Sequence, residues 1–79
     1  MDENIKLILK LRKVLKEAML EVPVEHEELL TNANQYMYSI DYDNLNMYTK
    51  EKLDEIVENL SHYIGLCEQV VYEVNGGEY

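Results

Sequence analysis

From Leu53 to Val74 apolar side chains return every seven residues in three registers: Leu53, Leu60, Cys67 and Val74; Ile56, Tyr63 and Val70; Val57, Ile64 and Val71. Three apolar positions per heptad, sustained over three heptads, describe a bundle helix or a short helical pairing seam. Thr49 is a good N-cap for it, and Asn75–Gly76 a suitable left-handed stop. The helix is predicted over residues 49–74.

The N-terminal segment carries the same signature in a broader form. Ile5, Ile8, Leu11, Leu15, Ala18, Met19 and Val22 follow the three-and-four spacing of one helix face. Leu7, Leu9, Val14 and Leu20 widen that face beyond what a surface helix requires. A helix over 3–21, with Asp2 as N-cap, is therefore either central in a bundle or shared with a second copy of the chain. Leu7, Leu11, Val14 and Ala18 are the expected homodimer contact. Pro23 stops this helix, because proline disfavours helix in the residue before it.

A second helix is predicted over 24–39, with Pro23 or Val24 opening it and Glu25, Glu27 and Glu28 favouring the positive end of its dipole. Leu29, Leu30, Ala33, Tyr36, Met37 and Ile40 form a thinner buried edge. The expected fold class is all-α: a small three-helix bundle, or a long helical hairpin with a shorter middle helix, self-associating. One domain would fill residues 1–74, followed by a flexible tail over 75–79 in which Gly77, Glu78 and Tyr79 fray. Gly65, inside the last helix, costs about 1 kcal/mol relative to alanine and suggests a close helix contact.

A chain of 79 residues buries only about 60–65% of its unfolded surface, so such a domain needs some additional security. A disulfide is not available, since Cys67 is the only cysteine; a lone thiol fits a reducing compartment, and the cytosol is expected. No apolar run approaches the roughly 20 residues that cross a bilayer, so no membrane contact is expected. The apolar residues at 7–9 are interrupted by Lys6, Lys10, Arg12, Lys13 and Lys16 and do not make a signal peptide.

Charge is divided unevenly. Residues 1–21 hold five basic and four acidic side chains, for +1, and residues 22–79 hold two basic and twelve acidic, for −10, which together give the net −9. Phosphate backbones are bound by basic side chains that release counterions, so direct nucleic-acid binding is not expected. Lys6, Lys10 and Lys13 form a basic row whose simplest role is complementarity with the acidic helices. Glu51, Glu55 and Glu58 form an acidic row on the last helix, beside Asp54 and continued by His62. That row is either a solvated face or a mimic of phosphate spacing that would occupy a nucleic-acid-binding protein.

The segment Asn34–Thr49, NQYMYSIDYDNLNMYT, concentrates Tyr36, Tyr38, Tyr42 and Tyr48 with Met37, Met47, Asp41 and Asp43. Tyrosine and methionine are enriched in interface cores. Tyr36 and Tyr38, two residues apart on a helix, cannot both face its core, so at least one is expected outside. The alternative is that tyrosine simply serves as the packing aromatic of a chain without Phe or Trp.

No catalytic or cofactor constellation emerges. Read as a calcium loop from Asp41, the segment places Leu45 at the fifth position, Asn46 where glycine is required and Lys52 where the closing glutamate belongs. His26, His62 and Cys67 do not recur at zinc-site spacing, and His62 stands too far round the helix to act as base for a thiol expected to be inert core. His26, among glutamates, is expected to be exposed. Residues 27–45, EELLTNANQYMYSIDYDNL, resemble the stretch of acyl carrier proteins that leads into an Asp-Ser-Leu motif. Here the triplet is Asp43-Asn44-Leu45, so the serine that carries the prosthetic arm in that family is missing and the carrier reading is not adopted.

What remains is a non-enzymatic regulator or inhibitor that binds a larger protein, a basic nucleic-acid-binding one being a candidate, by analogy with small acidic Tyr-rich factors of phage and mobile elements. Tyr36, Tyr38, Asp41, Tyr42, Asp43, Met47, Tyr48, Glu51, Glu55 and Glu58 are its expected contacts. A structural subunit acting through homo-oligomerisation is the alternative, and no cofactor or metal is expected in either case.

Overall fold

A computed structural model describes residues 3–76. The predicted N-cap Asp2 and the predicted fraying of Gly77, Glu78 and Tyr79 lie outside the described residues. The chain is all-α: α1 spans Glu3–Leu20, α2 Glu27–Tyr38 and α3 Lys50–Val74, with 3-10 turns at Val24–His26 and Tyr42–Met47.

The ends of α3 form as its sequence dictates. The Thr49 hydroxyl accepts from the Lys52 amide at 3.1 Å, satisfying one of the helix's orphan donors. At the other end Gly76 takes φ +83, a left-handed value that a side chain would strain, and its amide donates to the Glu73 carbonyl.

The predicted second helix is shorter and later than its apolar pattern implied. Pro23 does not open it; with ψ 149 it is extended, and its carbonyl closes a single 3-10 turn by accepting from the His26 amide. His26, at ψ 42, breaks the α-geometry before Glu27, and it is half-buried where exposure was expected. Leu20, with the Glu21 and Val22 amides turned back on Ala18 and Met19, ends α1 one residue early.

Two end contacts set the helix directions. Asn4, at the start of α1, donates to Asp54 near the start of α3. Ala18 and Glu21, at the end of α1, share a hollow with Cys67, Glu68, Val71 and Tyr72 of α3. These helices are thus parallel neighbours, which rules out a simple hairpin. The arrangement is a three-helix bundle in which α2 carries the chain back. At about 1.5 Å per residue α2 is only about 18 Å long, half the length of α3. The turns at Tyr42–Met47 complete the third side beside the start of α1, and Leu45 from those turns is 3% exposed.

The core is the stripe Leu53, Ile56, Leu60, Ile64 and Cys67 of α3 packed on Ile8 and Leu15 of α1, closed by Val22, Met37, Ile40 and Leu45. Val74, the last of the predicted repeat, is outside. The breadth of α1's apolar face is only partly taken up within one chain, since Leu7, Leu9 and Leu20 stay exposed. Leu11, Val14, Ala18, Ile5 and Met19 are all half-buried against the core, because neighbours flank α1 on two sides. Leu7 alone of the expected dimer set is left exposed.

Gly65 makes no close helix contact: it is exposed, with open space where a Cβ would stand, and nothing packed there explains the cost of glycine. No helix among the described residues is long and apolar enough to cross a membrane.

Candidate protein-docking surface

The tyrosine-rich segment divides sharply between structure and surface. The Tyr42 hydroxyl donates to the Met37 carbonyl at 2.8 Å, while the Arg12 guanidinium carbon sits 4.2 Å from the centroid of its ring. Burial pushes the Tyr42 hydroxyl up from its ordinary pKa, and Arg12 opposes this less strongly. The Tyr48 hydroxyl accepts from the Asp41 amide, and the Asp41 carboxylate accepts from the Asn44 side chain. The Tyr36 hydroxyl accepts from Asn59, with its ring 5.8 Å from that of Tyr63. Three of the four tyrosines therefore staple the 3-10 segment and α2 to the bundle. The fourth, Tyr38, is 69% exposed, and Met47 and Asp43 are exposed with it in the chain but not beside it.

Tyr38 forms one wall of a groove between α2 and α1, of about 570 Å³. Met37 and Leu30 line the α2 side, and Met19, Leu20 and Lys16 the α1 side. Leu20 is 85% exposed, the largest exposure of any leucine in the described chain. Why these residues gather here follows from helix geometry. Met37 points inward, so Tyr38, one residue on, is turned about 100° towards α1; Lys16 and Leu20, four apart, lie on one side of α1 beside it.

One sequence signal could have found this groove. Between Glu28 and Asp41 the chain has no charged side chain for twelve residues, in a protein where 29% of positions are charged. Depletion of charge with retained Tyr and Met is the composition of an interface core.

The acidic row is elsewhere. Glu51, Glu55, Glu58 and His62 are exposed on the side of α3 opposite its buried stripe, and Lys52 pairs with Glu55 at 3.3 Å. The bundle measures 24 × 17 Å across its long axis, whereas screening at physiological salt acts within about 8 Å. The expected contacts thus fall on separate faces: Tyr38 at the groove, Met47 and Asp43 on the 3-10 segment, the glutamates on α3. Lys6, Lys10 and Lys13 form no ion pair with α2 or α3 among the described residues, so the expected charge complementarity is not made by direct contacts.

Cys67 is sealed at 0% exposure. Its thiol is pushed above its ordinary pKa of 9.0 by burial first and by Glu68 second. The proton is therefore held more tightly in the folded chain than in the unfolded one. Stability is expected to fall as pH rises above about 9, where only the unfolded thiol ionises, and the Tyr42 hydroxyl adds to this above about 10. Urea melts at pH 8 and pH 10.5 would check it, together with a thiol reagent that labels Cys67 only after unfolding; labelling at the native rate of a free thiol would contradict it. Among the described residues no three His, Cys, Asp or Glu side chains are grouped to hold a metal ion.

Compared with known proteins, the chain matches no protein family, no curated protein and no solved structure.

Proposed function

We propose that this chain is a non-enzymatic, cytosolic regulator or inhibitor that works by docking on a larger protein, with the α1–α2 groove as its contact. The observation that carries the reading is the pair Leu20 and Tyr38, 85% and 69% exposed, standing over an apolar floor of Met19, Leu30 and Met37. Large apolar groups clustered this way on a small domain favour association, and the uncharged rim of α2 removes the desolvation cost that would oppose it. The occupant is the apolar side of a segment of the larger protein, read by anchors at three-and-four spacing. The test is capture of the partner from native lysate followed by measured affinity for wild type and for a variant truncated at both anchors.

A second reading is favoured by the clean exposure of Glu51, Glu55 and Glu58, a row that could imitate phosphates before a basic nucleic-acid-binding protein. The two readings separate well because the faces are far apart. Replacing all three glutamates by glutamine is expected to leave both the melt and the affinity for a groove-bound partner within about twofold. If that triple variant instead abolishes binding, and binding weakens steeply with salt, the ridge is the site.

Outside the docking groove, the structural-subunit alternative has Leu7 and Leu9, both 39% exposed, to work with on α1. Sedimentation over a concentration series is expected to give the 9.3 kDa monomer throughout. A stable dimer that Leu7→Glu converts to monomer would favour self-assembly instead.

A further inference from the structure

Resting on the docking reading above, we propose that the segment received by the α1–α2 groove is an amphipathic helix with an acidic flank, the reverse of the basic partner that a net charge of −9 invites.

The groove continues along α1 into a smaller hollow lined by Leu9, Arg12, Lys13 and Lys16, and the two share Lys16. Acidic residues number 16 in this chain and basic ones 7, yet none of the residues lining either hollow is acidic, and three of the seven cations are there. The polar positions on the opposite wall, Thr31 and Asn34, are uncharged. Arg12 is occupied by the Tyr42 ring. Lys13 and Lys16 are exposed and make no ion pair among the described residues, which leaves two ammonium groups along one edge of an apolar trough.

Such an edge selects a partner by charge at contact range. A carboxylate beside Lys13 or Lys16 is favoured and a second ammonium there is repelled, while the glutamates of α3 are screened from the groove by the width of the bundle. The length is also specified. From Leu9 to Leu20 the trough follows α1 for about 17 Å, or three turns of a docked helix. Leu9 at 39% exposure, Leu20 and Tyr38 are the apolar contacts available along it.

Two synthetic amphipathic helices of equal length test this, both with leucines at three-and-four spacing, one flanked by glutamate and its twin by lysine. Each is titrated into isotope-labelled full-length protein. The glutamate peptide is expected to shift the amides of Lys13–Leu20 and Thr31–Tyr38 and to bind about tenfold more tightly than its twin, as two exposed ion pairs allow. Lys13→Gln with Lys16→Gln, or high salt, should remove that preference. Equal affinity of the twins at the groove overturns the charge selection while leaving docking intact. A preference for the lysine peptide, with shifts at Glu51–Glu58, overturns the selection in favour of the ridge. Neither peptide moving the groove amides overturns both docking and selection. A doubling of mass without peptide, with those amides in the contact, makes a second copy the occupant and overturns the proposal.

Discussion

Leu60→Ala is expected to cost this small domain a large share of its stability. Leu60 is completely buried at the middle of α3, within the cluster that joins α1 to α3. Removing its isobutyl group forfeits the transfer free energy and leaves a cavity, about 2–5 kcal/mol in all. A domain of this length has a total stability on the order of 4–12 kcal/mol. The substitution thus takes up to the whole of it, without a disulfide to compensate. Urea denaturation followed by circular dichroism would show the midpoint collapse. Leu20→Ala, the same change at an 85% exposed position, should shift it by no more than about 0.5 kcal/mol. Equal midpoints for Leu60→Ala and wild type would mean that α1 and α3 are not held together as described.

Leu20→Ser combined with Tyr38→Ser is expected to have the opposite profile, an intact fold and a lost partner. Neither side chain belongs to the core, so the melt should stay close to that of wild type. Serine is chosen over aspartate because Leu20 ends α1, where a carboxylate would meet the negative end of the helix dipole. Anchors at the centre of an interface typically cost 2 kcal/mol or more each when truncated, with less than additive sums between neighbours. A fall in affinity of about 100-fold or more follows, compared with less than about twofold for the glutamine triple at positions 51, 55 and 58. An unchanged affinity in the double serine variant would remove the groove from consideration.

Much of this architecture is legible in the amino-acid sequence. The heptad registers of α3 gave its identity, and Thr49 and Gly76 gave its limits, because capping chemistry is local and each cap needs only its own neighbours. The Tyr36/Tyr38 spacing correctly required one of the two to be outside. Pro23 does not open α2, because its preference for a first helical position does not reveal how His26 will lie three residues on. Leu45 is core without a signal in the sequence, since one apolar residue between two asparagines has no period to announce it. The expected anchors Tyr36, Tyr42 and Tyr48 turned out to hold the fold together. Residue type cannot separate a tyrosine that meets a partner from one whose hydroxyl meets Asn59, Met37 or Asp41.

The amino-acid order therefore settled the all-helical character, the caps of α3 and the division of charge, all of which depend on residues within one or two turns of each other. Only tertiary packing decided that α1 and α3 run parallel, which part of α1's broad apolar face is covered, and that Leu20 and Tyr38 stand together uncovered. The reason is physical: a period in sequence marks which stripe of a helix seeks cover, but what covers it depends on groups far along the chain. In the same way the cations are already concentrated along α1 in the sequence, while the acid-free apolar trough beside Lys16 exists only in the folded bundle.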